Sequence, residues 1–574
     1  MKATLADALR VQNAEPRLFD SQVSCRLDLA RKRAAQYPLD SMDFILMDLE
    51  RPPTSRRFAD FCTGDLTGRM LWFLSSTDGI DGQSDPRLKE LFERILKQRQ
   101  PNGLFGRPAA QAGVSQPFTD ECGGVGYSSN MLLFGLVAYY ERTGDLRALE
   151  AARGMGDFIW SRRQHYREWL EARKKRHSID MWITHPLARL YRITGDQRCL
   201  EICAWIRDSF DRLEGTHAHG LGTTLRGLQL AALYTGDLSW NEKVEQFRKR
   251  IAAECEKPDG GVSERYLNSA RNEGCAIADW MVMNLQAGLL TGDDTAYEKA
   301  EHTFFNAFAF NQLDNGIFGL RSLTRHGYAI GPFESAWCCC LHHCGTAIGE
   351  YARHAVCLRD GVVHVNLLVP GRYTVQGITV TVHSNYPSAA TANIAVTGHQ
   401  PDTEVHVRVP SCVRNATVRE LRRDGEIAVT LAGEIGHTVE SCKDGTLLKY
   451  GPLVLAPQSY FWNSSNQDME GVAPSGWGGP LMPEGIPTLL LDAPADPRGF
   501  LNLKRNPERR WNHYDAGPAA RFGIPDAEVA VPVRLGSGKE MELVFTPLCS
   551  ATSYMVFFET PVVLKQQTRT EPKP

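Results

Sequence analysis

Cys338, Cys339 and Cys340 stand side by side, with Cys344 close behind, in the stretch Glu334-Ser-Ala-Trp-Cys-Cys-Cys-Leu-His342-His343-Cys344-Gly. Neighbouring side chains make disulfides poorly, so three adjacent thiols are not explained by mutual bonding. A thiolate pair on one turn, joined by a carboxylate and a thiolate from elsewhere, suits a soft or borderline metal such as zinc. Upstream, Asn272-Glu273-Gly274-Cys275 offers such a Glu-x-Cys pair at the head of an apolar run. Isolated cytosolic cysteines are usually small buried hydrophobes, which is the reading for Cys199, Cys203 and Cys357. Clustering argues instead for metal binding or thiolate catalysis. A Glu-x-Cys followed roughly 60 residues later by Cys-Cys is not a zinc-finger or ribbon spacing, and both 338–339 and 339–340 are open as the functional pair.

The elements that must position these residues are helices. Four times an apolar helical stripe ends in Thr-Gly-Asp: at Thr143-Gly144-Asp145, Thr194-Gly195-Asp196, Thr235-Gly236-Asp237 and Thr291-Gly292-Asp293. Gly can take the left-handed C-terminal cap and Asp can cap the next helix, so each tripeptide predicts a tight helix–helix corner. Leu133, Leu136, Val137 and Tyr140 share one helical face, as do Leu187, Leu190 and Tyr191. Hairpins recurring at roughly 40 to 55 residues predict a solenoid or a closed toroid of paired helices. Gly-rich segments between them, such as 100–106, 121–126 and 258–264, favour the toroid, with loops gathered at one mouth.

After Ala355 the apolar period falls to 2. The runs 363–369, 378–382, 405–409 and 427–431 predict an antiparallel sandwich, and 531–535 and 542–546 resume the pattern after a Gly- and Pro-rich stretch. At 574 residues the chain exceeds one core. The expected division is a helical domain over 1–355, a β-sandwich over 356–460 and a second β-rich region over 461–574. The net charge is −3 with acids and bases interspersed. That excludes the footprint of nucleic acid and a polybasic membrane patch, and leaves a neutral ligand as the expectation. The 15 cysteines are an odd number, and the first residues lack the apolar core of a signal peptide. With no apolar run near the roughly 20 residues of a membrane span, the chain is expected to be soluble in a reducing cytoplasm.

Glu273-Gly-Cys275-Ala, Cys339-Cys340, Arg408-Val-Pro410 and Tyr450-Gly-Pro-Leu-Val454, in that order, resemble glycoside hydrolase family 127, the β-L-arabinofuranosidase group. The resemblance spans roughly residues 60 to 460, and it implies an (α/α)6 barrel followed by a β-sandwich. It implies zinc held by Glu273, Cys275, Cys339 and Cys340, with Cys339 as the nucleophile of a retaining mechanism. Such a mechanism also needs a carboxyl that protonates the leaving oxygen. Glu264, after Gly260-Gly261-Val-Ser, resembles the family's acid/base loop, and Glu254, Glu256 and Asp279 are held in reserve. His217-Ala-His219-Gly, with Arg226 beyond, resembles the His-rich helix start beside the sugar. His342 and His343 stand where the family commonly has Pro and Asn, and can join the sugar pocket or alter the metal set. Tyr127 and Trp337 are the aromatic candidates for stacking on a sugar ring, ahead of Trp182 and Tyr266, while Trp280 reads as core.

The reading is therefore a zinc-dependent retaining glycosidase acting on a small carbohydrate, β-L-arabinofuranoside by resemblance, with a homodimer possible by analogy. Two rivals stand beside it. One is an epimerase, lyase or other toroid sugar enzyme with structural cysteines. The other is a non-catalytic carbohydrate-binding or scaffold toroid whose zinc only pins a helix pair.

Overall fold

The computed structural model describes residues 11–50, 64–105, 129–164, 167–168, 183–267, 272–313, 315–319, 321–324, 327–330, 339–423, 425–457, 486–505, 524–548 and 559–564. Cys338, Tyr127, Trp182 and Trp337 lie outside them.

The four Thr-Gly-Asp tripeptides are corners in which all three residues act. Each Thr hydroxyl donates to the carbonyl four residues back, from Thr143 to Tyr139, Thr194 to Leu190 and Thr235 to Ala231 at 2.7 Å, and from Thr291 to Ala287 at 2.8 Å. The four glycines take φ of 71° to 73°, where a side chain would be strained. The four Asp carboxylates accept the N–H two residues on at 2.9 to 3.1 Å, capping the next helix.

The main helices are α1 (Gln22–Ala34), α2 (Asp65–Thr77), α3 (Arg87–Leu96), α4 (Ser129–Thr143), α5 (Leu146–Ser161) and α6 (Thr184–Thr194). They continue as α7 (Gln197–Ser209), α8 (Ala218–Thr235), α9 (Ser239–Glu254), α10 (Gly274–Thr291), α11 (Asp294–Thr303) and α12 (Cys340–Arg353). The even-numbered set packs in series: α2 on α4, α4 on α6, α6 on α8, α8 on α10, α10 on α12, and α12 back on α2. The odd-numbered helices back them, α3 on α2 and so on round to α1 on α12. Composition follows position. α3 buries only the stripe Leu88, Leu91, Phe92 and Ile95, at the spacing of one helix face. α10 is buried on all sides from Gly274 to Leu289, as an apolar-all-round helix must be. α2 and α4 approach closely at Gly68, where a Cβ would lie 2.2 Å from the Met131 backbone.

The β half begins at the start of the chain. β1 (Val11–Asn13) pairs with β3 (Val356–Arg359), which pairs with β4 (Val362–Val365); β8 (Val405–Val407) completes that sheet. β2 (Glu15–Leu18) is the edge of a six-stranded sheet with β5 (Gly371–Val375), β6 (Ile378–Ser384), β7 (Thr391–Thr397), β10 (Glu426–Glu434) and β9 (Arg414–Arg423), in that order. A third sheet runs from β11 (His437–Cys442), β12 (Gly445–Tyr450) and β13 (Leu453–Pro457) through β17 (Glu540–Pro547), β16 (Val529–Arg534) and β14 (Thr488–Leu491) to β18 (Glu559–Val563). Beside them, β15 (Lys504–Arg505) pairs with β16. Strand pairing thus crosses both expected boundaries. Residues 11–18 join sheets built after 355, and strands 437–457 pair with strands beyond 460.

Helices and sheets share one contiguous apolar core. At their seam Arg408, at the end of β8, reaches Glu301 on α11, with Nη2 2.9 Å from Oε1, and the Tyr386 hydroxyl donates to Oε2 at 2.8 Å. The Arg408 Nε–H donates to the Asn366 carbonyl at 2.5 Å.

Candidate active site

Three helix N-termini meet. His217 stands at the N-cap position of α8, Glu273 at that of α10 and Cys339 at that of α12. A helix N-terminus carries unpaired N–H groups and the positive end of the dipole, so it favours carboxylate and thiolate. One donor atom each from Glu273, Cys275, Cys339 and Cys340 lies within 4.8 Å of the others, a group able to hold a metal ion. Sγ of Cys340 is 3.5 Å from that of Cys275 and 3.6 Å from that of Cys339, and Cys339 Sγ is 4.0 Å from Glu273 Oε1. Cys275 and Cys340 are fully buried, while Cys339 is half-buried. Burial pushes the Cys275 and Cys344 thiols well above the usual range.

Glu264 is brought to the same place by backbone. Its carbonyl accepts the Ala218 N–H at 2.8 Å, and Ser263 and Arg265 on either side bridge to Asn272 and His217. These bridges tie the loop to the heads of α10 and α8, and the Glu264 carboxylate lies within 4.8 Å of donor atoms of His217 and Glu273. His217 Nε2 is 3.3 Å from Glu273 Oε2.

Beneath this layer sits a buried ionic knot. Asp279 Oδ1 is 2.6 Å from Arg226 Nη1 and 2.9 Å from His343 Nε2. Its Oδ2 is 2.5 Å from His219 Nδ1 and accepts the Thr223 hydroxyl at 3.1 Å. Arg226, Asp279, His219 and His343 are each 1% exposed. Burial alone would raise the Asp279 carboxyl, but His343 and His219 outweigh it and hold it well below the usual range. His343 itself is pushed down to about 3, by burial first, and so is a neutral donor. Gly222 makes room, since a Cβ there would stand 2.7 Å from Asp279 Cβ.

Residues 81–347 match the family model described as Beta-L-arabinofuranosidase, GH127 catalytic domain. That segment is similar to a glycoside hydrolase family 127 catalytic domain. The protein is accordingly a glycoside hydrolase, and Glu264, Glu273, Cys275, Cys339 and Cys340 all fall inside the matched GH127 segment. A solved GH127 β-arabinofuranosidase is similar over 96% of this chain and 100% of its own, with TM-score 0.67 and 14% identity. The GH127 β-L-arabinofuranosidase Ara127N-Se from Geobacillus stearothermophilus T6 is similar over 95% and 100%, with TM-score 0.68 and 13% identity. At such identity these likenesses bear on fold alone. No curated protein matches the chain.

Within the matched segment the other expected residues are dispersed. His342 is fully buried with its ring 6.0 Å from that of Phe73, and it is not in any of the metal-type groups found among the described residues. His219 and His343 face Asp279, a reserve carboxyl that is buried in the knot. Glu254 is exposed and paired to Arg250. Glu256 accepts from Trp280 Nε1 at 3.3 Å and pairs with Lys299. Tyr266 is 1% and Trp280 0% exposed, so both are core. Sequence reading missed the knot, whose signal is a four-residue step from each ligand motif: Cys275 to Asp279 and Cys339 to His343.

Proposed function

We propose that this protein is a zinc-dependent retaining glycosidase that removes β-L-arabinofuranosyl units from small soluble glycosides, its helices forming an (α/α)6 toroid and Cys339 acting as nucleophile. The carrying observation is the convergence of three thiols, Glu273 and Glu264 on the heads of α8, α10 and α12. Tetrahedral zinc bound to sulfur at about 2.3 Å sets sulfur–sulfur edges of about 3.8 Å. The 3.5 and 3.6 Å separations here approach that edge. They are far from the roughly 2.05 Å of a disulfide. When bound, zinc would supply the charge that keeps buried thiols ionised at neutral pH.

Cys339 is the thiol of the set with exposure, which suits it to meet substrate. Its sulfur attacks the anomeric carbon. As the C–S bond forms, the bond to the leaving oxygen breaks, and that oxygen takes its electron pair together with the proton of Glu264. Glu264, now a carboxylate, draws a proton from water whose oxygen attacks the same carbon, and the C–S pair returns to sulfur. Two inversions give net retention. His217, neighbouring both carboxyls, is placed to hydrogen-bond a sugar hydroxyl.

Metal content, measured with hydrolysis of p-nitrophenyl β-L-arabinofuranoside, tests the reading on wild type, Cys339→Ala and Cys340→Ala. About one zinc per chain is expected, with turnover lost in both variants and metal weakened. Wild type with neither metal nor turnover would sink it. Turnover surviving in Cys339→Ala would remove the nucleophile and favour a toroid enzyme with structural cysteines.

A further inference from the structure

We infer that Asp279 is a positioning residue, a single carboxylate that locks α10 and α12 in register through donors on α12 and α8, so that Glu273, Cys275, Cys339 and Cys340 at the heads of α10 and α12 form one metal site with His217 of α8 beside it. The inference rests on the metal role proposed for Glu273, Cys275, Cys339 and Cys340, and it concerns a residue outside that set.

On α10, Asp279 lies four residues after Cys275; on α12, His343 lies four after Cys339. Four residues are about one turn, a rise of about 6 Å. The knot is therefore a second tier, one turn below the thiols, and it ties the two helices whose heads carry the first tier to each other and to α8. Helix α8 contributes His219, Thr223 and Arg226, α12 contributes His343, and α10 supplies the one acceptor. A carboxylate has about four lone-pair sites. The four donors fill them. A slide of either neighbour by a fraction of a turn would leave a buried ion with a missing partner, which costs several kcal/mol. That penalty makes the register discrete.

The same saturation argues against two other roles. His219, Asp279 and His343 are a cluster of metal-ligand type with atoms within 4.8 Å. Yet both carboxylate oxygens are already engaged, and Arg226 already neutralises the charge. Proton transfer to substrate is equally unsuited to a carboxylate that is 1% exposed.

The test uses the full chain as wild type, Asp279→Asn, His343→Gln and, as a control at the seam with the β half, Arg408→Met. Zinc affinity is read by competition with a chromophoric chelator, site geometry by the thiolate-to-cobalt absorption of Co2+-loaded protein, and the metal-free helices by hydrogen exchange. Asp279→Asn and His343→Gln are expected to weaken zinc by tenfold or more and to shift the cobalt spectrum, since groups supporting metal ligands typically contribute 10–100-fold. Arg408→Met should stay within about threefold of wild type. Unchanged affinity and spectrum in both knot variants would overturn the inference, as would equal weakening by Arg408→Met. A second metal equivalent in wild type that vanishes in Asp279→Asn would make the knot a metal site instead. Should wild type bind no metal, the metal reading falls by itself. The register claim then stands or falls on exchange at residues 275–279 and 340–343, which must quicken at least tenfold in Asp279→Asn.

Discussion

Replacing Arg408 by Met should loosen the seam between the helical and β halves by about 3–5 kcal/mol, the cost of stranding one member of a buried ion pair. Arg408 is 1% and Glu301 3% exposed, so neither is screened by water. Burial already raises the Glu301 carboxyl even with the guanidinium 2.9 Å away. Without Arg408 the carboxylate keeps the Tyr386 hydroxyl as a donor, and must either stay charged in an apolar setting or take up a proton at neutral pH. Methionine fills most of the arginine stem, so packing loss is a minor part of the change. Hydrogen exchange is the assay, because it reads opening of α11 and β8 directly, whereas global unfolding of a chain this long is not a single two-state equilibrium. Each 1.4 kcal/mol is tenfold, so protection of those amides should fall by about a hundredfold or more. The double variant Arg408→Met with Glu301→Gln should recover at least half of the loss, because Gln still accepts from Tyr386 and carries no charge. Protection within tenfold of wild type in Arg408→Met would refute the reasoning. So would a double variant worse than the single.

Other expectations are equally definite. Burial holds His343 at about 3 and His185 well below its ordinary value, so the unfolded chain binds more protons than the folded one below about pH 6.5. Stability of the metal-free protein should therefore be complete above that pH and fall as pH drops toward 3, by several kcal/mol, read as a lower urea midpoint at pH 4.5 than at pH 7. Glu264→Gln should cost about 10²–10⁴ in turnover of unactivated arabinosides and less with p-nitrophenyl leaving groups, which need little protonation. Gly68→Ala places a methyl 2.2 Å from the Met131 backbone and should destabilise the α2–α4 contact by about 1–3 kcal/mol, read as faster hydrogen exchange in those two helices.

Much of this was legible because the signals are local. A Thr-Gly-Asp corner needs only its own hydroxyl, left-handed glycine and cap, and β6 and β10 announce themselves by alternation within a few residues. The grouping of Glu273, Cys275, Cys339 and Cys340, which the structure brings together as a cluster able to hold a metal ion, was legible because adjacent thiols have few bland explanations and the family resemblance paired them with Glu273 and Cys275. What escaped joins distant segments by single contacts. Asp279 looks like one acid in an apolar helix until His219 and His343 are brought to it from some 60 residues on either side. β1 and β2 are too short to signal alone, since their partners lie in β3 and β5. Tyr127 and Trp337 fall outside the described residues, and their stacking role stays an expectation.

The pairing of β1 with β3 and β2 with β5 bears on how the molecule comes into being on the ribosome. Gln12 meets Leu358 and Arg17 meets Arg372, so the earliest of these strands wait for partners made about 350 residues later, roughly 20 to 70 seconds at ordinary translation rates. The same late segment contains α12, which closes the helical series against α2 and brings Cys339 and Cys340. Closure of both halves and the arrival of the last two thiols thus coincide. A nascent chain holding only Glu273 and Cys275 has half of the four-residue cluster, so the proposed metal site cannot be completed until synthesis has passed the point where everything can shut together.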